Sequence, residues 1–131
     1  MTQEEKELLL KDLCTRLPYG LKLRYIEDLV VKKESHVITL NNIYLEHILN
    51  GDADIKPYLR PLSSMTEEEK IYATQFEINN LGPIGFNWNL IVSNSYELID
   101  WLNKHYFDYR GLIEKGLAIE APEGMYNNVI I

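Results

Sequence analysis

Ser95-Tyr96-Glu97-Leu98-Ile99-Asp100-Trp101-Leu102-Asn103-Lys104-His105-Tyr106-Phe107-Asp108-Tyr109-Arg110-Gly111-Leu112-Ile113-Glu114-Lys115-Gly116-Leu117 brings a Trp, a Phe, three Tyr and a His into one segment of a 131-residue chain. Aromatic side chains carry the largest apolar area per residue, so other elements are expected to be built onto this one. Asn94 and Glu97 supply an N-x-x-E helix start, and Gly116 is placed to end the helix, which predicts helix over about 95–116. Pro122 and Gly124 prevent its continuation, leaving 122–131 as a tail.

Upstream, Thr66-Glu67-Glu68-Glu69 is a T-x-x-E capping box with three carboxylates in the first turn, which predicts a helix over about 66–79. Ile71, Tyr72 and Phe76, with Asn79, supply its buried stripe, and the carboxylates need no role beyond the helix start. Between these helices, Ile84, Phe86, Trp88, Leu90 and Val92 alternate with Gly85, Asn87, Asn89 and Ile91, a period-2 pattern that predicts a strand or extended connection. At the N-terminus, Thr2 and Glu5 form another capping box. Leu9, Leu10, Leu13 and Leu17, flanked by Leu8 and Cys14, recur at helical spacing until Pro18 and Gly20 end the run. This predicts a helix over 1–18, with Cys14 packed on its apolar side.

Residues 20–62 read as β. Leu21, Leu23 and Tyr25 alternate with Lys22 and Arg24, and 29–31 and 37–40 are β-branched runs separated by charged turns. Residues 43–49 fit a short helix or, less well, a strand. Pro57 and Pro61 remove ladder donors, so 55–62 is expected at an edge, leaving the β part across its surface. Together these give an α+β fold in one domain. An N-terminal helix leads into a small antiparallel sheet or SH3-like barrel over about 20–62. A helical part over 63–121 then packs on it.

Three blocks, Leu17-Pro18-Tyr19-Gly20-Leu21-Lys22, the 55–69 segment Ile55-Lys56-Pro57-Tyr58-Leu59-Arg60-Pro61-Leu62-Ser63-Ser64-Met65-Thr66-Glu67-Glu68-Glu69, and the 107–122 segment beginning Phe107-Asp108-Tyr109-Arg110-Gly111, resemble a family of small uncharacterised proteins from gut-bacterial and phage or mobile-element genomes. The resemblance implies a phage or mobile-element setting and brings no activity, cofactor or catalytic residue.

The net charge of -7 is uneven: -2 over 1–15, +1 over 16–60 and -6 over 61–131. An acidic surface repels phosphate backbones, so the default is no nucleic-acid partner. The near-neutral middle segment is the exception. There, Lys22, Arg24, Lys32, Lys33, Lys56 and Arg60, with Tyr19, Tyr25 and Tyr58 for stacking, are the candidates for binding a single strand; otherwise they are solvated strand faces and edge lysines. His105, Asp108 and Arg110 form the sharpest chemical cluster, a His held by a carboxylate as general base beside an anion-binding Arg, as a small hydrolase or nuclease would need. The same residues admit a structural reading, with Asp108 capping a helix begun at Tyr109 and Arg110 pairing to Asp108 or Glu114.

No metal site is expected, since His36, His47, His105 and Cys14 are far apart and 50–54 lacks the later Glu of a calcium loop. No cofactor is expected either: Gly82-Pro83-Ile84-Gly85 lacks the Lys and third Gly of a phosphate loop. One cysteine, no signal segment and no long apolar run predict a cytoplasmic protein without a membrane partner. The chain therefore reads as a non-enzymatic accessory protein that binds a protein partner, through a sheet edge or the 43–49 face. A homo-oligomer sealed by Phe86 or Trp88 is compatible with this.

Overall fold

The computed structural model describes residues 1–28, 33–51, 54–81 and 96–126, with backbone alone for 27–28 and 75–81. The expected strand at 84–92, the run at 29–31, Lys32, the Asn94 cap and residues 127–131 lie outside the described residues. The elements are α1 (Gln3–Arg16), β1 (Lys22–Asp28), β2 (Lys33–Thr39), α2 (Asn42–Asn50), β3 (Asp54–Pro61), α3 (Glu67–Leu81), α4 (Tyr96–Lys104), β4 (Phe107–Asp108) and β5 (Ile119–Glu120), with 3-10 turns at Leu17–Tyr19 and Leu62–Ser64. This is the α+β architecture the sequence predicts. Of the two β arrangements, the described residues form an open mixed sheet rather than a closed barrel: the strand order is β2-β1-β3-β4, with β5 also on β3.

The capping boxes form as read. The Glu5 amide donates to Thr2 Oγ1 (3.1 Å) and the Thr2 amide to Glu5 Oε1 (2.8 Å). At α3 the Glu69 amide donates to Thr66 Oγ1 (3.2 Å) and the Thr66 amide to Glu69 Oε1 (2.9 Å). The ambiguous 43–49 stretch is helix, because its ends decide it. Asn41 Oδ1 accepts from the Tyr44 amide, and Gly51, at φ +71°, closes α2 with bonds to the His47 and Ile48 carbonyls. A left-handed residue satisfying the last carbonyls is the common way to end a helix.

β3 corrects the edge expectation: it pairs with β1, β4 and β5, and the last two lie on opposite sides of it, because the Arg60 amide donates to Tyr106 while the carbonyl of the same peptide, on Leu59, accepts from Ala121. The physical reason lies in the registers. β1 pairs antiparallel with 54–57 (Leu23 opposite Pro57, Ile26 opposite Asp54), whereas β5 and β4 run parallel to 58–61. Among the described residues only β1 pairs with 54–57, and Pro61 is the last residue of the strand, so the two prolines cost the sheet little. Where β1 leaves β3, Tyr126 takes over. Its hydroxyl accepts from the Lys22 amide (3.0 Å) and donates to the Tyr58 carbonyl (2.8 Å), bridging the next rung of the ladder with a side chain. Residues 122–126 are therefore not all tail.

The helix expected to reach 116 stops at Lys104. Tyr106 adopts φ +65°, a conformation that normally calls for glycine and costs a non-glycine residue about 1–2 kcal/mol. Packing holds it there: its ring stacks on Tyr126 (centroids 3.8 Å apart, 16° between planes) and its hydroxyl donates to the Tyr19 carbonyl. The chain then turns extended as β4, and the Arg60 amide donates to the Tyr106 carbonyl (2.8 Å). Gly116, at φ +74°, ends a turn rather than a helix.

Two cores result. One joins Leu9 and Leu13 of α1 to Leu21, Leu23, Ile55 and Leu59 of the sheet and to Ile48, Leu112 and Leu117. The other joins Met65 and Ala73 to Leu98, Trp101, Leu102 and Phe107. The opening aromatic stretch does supply the second core, through Trp101 and Phe107. Two details differ from the sequence reading. Cys14 is exposed, one position off the stripe, and Ile71 is also exposed, with Ala73 taking the buried place in α3.

Candidate functional site

Strand alternation and cross-strand register fix which candidate cations can act together. Successive strand residues face opposite sides, and residues directly opposite one another share a side. On β1 and β3, Leu21, Leu23, Ile55 and Leu59 are buried on the inner face, so Lys22, Arg24, Lys56, Tyr58 and Arg60 take the outer one. Arg24 stands opposite both Lys56 and Val37, and Lys22 opposite Thr39, which adds the exposed row Lys33, Ser35, Val37 and Thr39 of β2. Five of the six sequence candidates, Lys22, Arg24, Lys33, Lys56 and Arg60, thus share one face of the sheet. Lys32 lies outside the described residues. The face has an acid as well: Asp54 approaches Arg24 at 3.9 Å.

Among the described candidates, Arg60 is the one with a strong internal partner. Its Nη1 and Nη2 donate to Glu69 Oε2 (2.9 Å) and Oε1 (2.7 Å), and its guanidinium lies 4.1 Å over the Phe107 ring. Burial raises the Glu69 carboxyl, but the Arg60 side chain and the Thr66 amide outweigh that and hold it below the usual carboxylate value. Glu69 therefore does more than start a helix, a role the capping pattern concealed.

His105, Asp108 and Arg110 go to three different environments. His105 is buried against Trp101 (ring centroids 4.9 Å), with Nε2 lacking a hydrogen-bond partner among the described residues. Desolvation, with Arg60 and Lys104 nearby, lowers its pKa against the opposing pull of Glu69. Asp108 accepts from the Leu112 amide (2.9 Å) and the Ile113 amide (3.0 Å), so it caps the turn at 111–115. Arg110 pairs with neither Asp108 nor Glu114. Its Nε donates to Asp12 Oδ1 (3.1 Å). The acid-base arrangement that hydrolysis would need from these three is not formed.

Asp12 and Arg16 belong to a network the sequence pattern hid. Both are fully buried; Arg16 Nε donates to Asp12 Oδ2 (2.8 Å) and Nη2 to the Phe107 carbonyl (2.6 Å). Their i,i+4 spacing, on the same stripe as Leu9 and Leu13, was the available signal. Among the described residues no group of three His, Cys, Asp or Glu is placed to hold a metal ion, and no helix is long and apolar enough to cross a membrane.

The basic face ends in a cavity of about 450 Å³ where β1 parts from β3, lined among others by Lys22, Arg60, Lys104, His105, Tyr106 and Tyr126. Among the described residues no acidic one lines it. A neighbouring cavity of about 390 Å³ shares Arg60 and Tyr126 with it but is lined by Glu120 and Glu123. No family model, curated protein or solved structure matches this chain.

Proposed function

We propose that this protein is a non-enzymatic binding module that lays a single-stranded nucleic acid along the outer face of its sheet. The observation that carries this is the register: it gathers Lys22, Arg24, Lys33 and Lys56 on one face, beside the Glu69-paired Arg60, although the chain as a whole is acidic. Charges separated by more than about 10 Å are largely screened at 0.1 M salt, so the local face outweighs the net charge. Tyr58, between Lys56 and Arg60 along β3, and the exposed Val37 offer ring and apolar contact to bases. The binding role also fits the chemistry-bearing side chains, since Asp12, Arg16, Glu69 and Asp108 are spent on internal partners. A setting as a phage or mobile-element accessory protein is part of the same proposal and rests on the three sequence blocks.

Fluorescence anisotropy of a labelled oligothymidylate tests the reading. Binding is expected at low salt, weakening with a log–log salt slope of about -0.7 for each phosphate neutralised. Lys56→Ser and Lys33→Ser each reduce that slope by about 0.7. No binding at low salt, where electrostatic affinity is greatest, overturns the proposal. A protein partner is the second reading, favoured by Ile43 and Leu49, which stand 61% and 56% exposed on α2. It predicts that Ile43→Ser and Leu49→Ser, with no effect on oligonucleotide binding, abolish capture of a host protein.

A further inference from the structure

The cavity at the end of the basic face has the composition of an anion site. Its cations come from three elements: Lys22 from β1, Arg60 from β3 and Lys104 from the end of α4. Among the described residues Lys22 Nζ bonds only a hydroxyl, Thr39 Oγ1 (3.2 Å), and Lys104 forms no ion pair. Arg60 is neutralised by Glu69 from behind, so the two lysines leave the cavity with uncompensated positive charge. One wall is preorganised, because the stacked Tyr106 and Tyr126 rings are each tied to backbone by their hydroxyls. His105, 5% exposed, lines the cavity and keeps a buried ring nitrogen without a partner among the described residues. Beyond Arg60 and Tyr126 the neighbouring cavity turns acidic through Glu120 and Glu123, which repels an anionic chain from that direction. An anion is therefore favoured in this cavity over its neighbour.

We propose that this cavity is a phosphomonoester site, which takes the terminal phosphate of a strand lying on the sheet. Placing a strand there rests on the nucleic-acid reading above; the phosphate site itself does not. A terminal phosphate carries more charge than an internal diester and presents oxygens to several donors at once. The acidic lining of the neighbouring cavity disfavours a strand that runs on past this point, so the end of a strand fits best.

The experiment compares, on the full chain, inorganic phosphate and matched oligothymidylates bearing a 5′-phosphate, a 3′-phosphate or hydroxyl ends, against sodium chloride at equal ionic strength. Binding is read by titration calorimetry and by NMR of the His105 ring. Inorganic phosphate is expected to shift the His105 ring signals and to raise its titration midpoint, because a dianion beside Glu69, Arg60 and Lys104 adds negative charge to that surrounding. One phosphorylated end is expected to bind about tenfold tighter than hydroxyl ends. Lys104→Ala abolishes the preference and Lys104→Arg retains it. Lys104 is exposed at a helix end, so both variants are expected to fold, which their unfolding midpoints check. If phosphate shifts His105 while no oligonucleotide binds, the phosphate site stands and the nucleic-acid reading falls. If oligonucleotides bind with no preference for a phosphorylated end and phosphate leaves His105 unmoved, the phosphate site is refuted and the sheet-face reading survives.

Discussion

Replacing Asp12 by Ala should destabilise this protein more than any surface substitution. The Asp12 carboxylate accepts from Arg16 Nε (2.8 Å), Arg16 Nη2 (3.1 Å) and Arg110 Nε (3.1 Å), and both Asp12 and Arg16 are fully buried. Without it, one guanidinium is left unpaired in the interior and a second, 21% exposed, at its edge. Removing one partner of a buried ion pair costs about 3–5 kcal/mol, because the remaining charge has neither water nor counter-ion. Domains of this kind have about 5–15 kcal/mol of stability in total, so Asp12→Ala uses up a large share of it. The midpoint of urea unfolding, at unchanged slope, is the readout. Asp12→Leu combined with Arg16→Met removes both charges and should cost less than Asp12→Ala alone. It will still carry about 1–3 kcal/mol for the Phe107 carbonyl that Arg16 satisfies at 2.6 Å. The reasoning is refuted if Asp12→Ala costs under about 1 kcal/mol, the range of a solvent-screened surface pair, or if the double variant is the less stable of the two.

Two further outcomes follow from the structure. Tyr126→Phe keeps the ring stack on Tyr106 but removes the hydroxyl between the Lys22 amide and the Tyr58 carbonyl, so it should cost about 1–3 kcal/mol and speed hydrogen exchange at the Lys22 amide; an unchanged exchange rate there refutes the bridge. Acid should act in two steps. His105 has a lowered pKa, so below its ordinary value of 6.5 the unfolded chain takes up a proton that the folded one resists, and stability falls as the pH drops from there towards the folded value. Glu69, also lowered, stabilises fully above its ordinary 4.5 and loses that contribution as the pH falls through its folded value. Unfolding measured against pH should lose the upper step in His105→Phe and the lower one in Glu69→Gln.

The parts of this protein legible in the sequence are those decided within a few residues. Thr2 and Glu5, and Thr66 and Glu69, fix helix starts because each box closes over one turn, whatever the rest of the chain does. The alternation at 21–25 correctly sends Leu21 and Leu23 inward and Lys22 and Arg24 outward, because the period of a strand is local. Five basic candidates were nameable for the same reason, yet alternation alone could not say that they share one face, since that depends on the pairing of three strands. Tertiary structure decided the rest. Pro57 and Pro61 sit in the middle of the sheet because the partner strands change between them. Tyr106 ends α4 in a glycine's conformation because Tyr126, twenty residues later, holds its ring. Glu69 and Asp12 each acquire an arginine from elsewhere in the fold, Arg60 and Arg110, so their local patterns (a cap and a polar helix position) understated them. His105, Asp108 and Arg110 are neighbours in sequence but part company in space. The turn at Tyr106 sends each side chain towards a different element, and neither composition nor spacing encodes that direction.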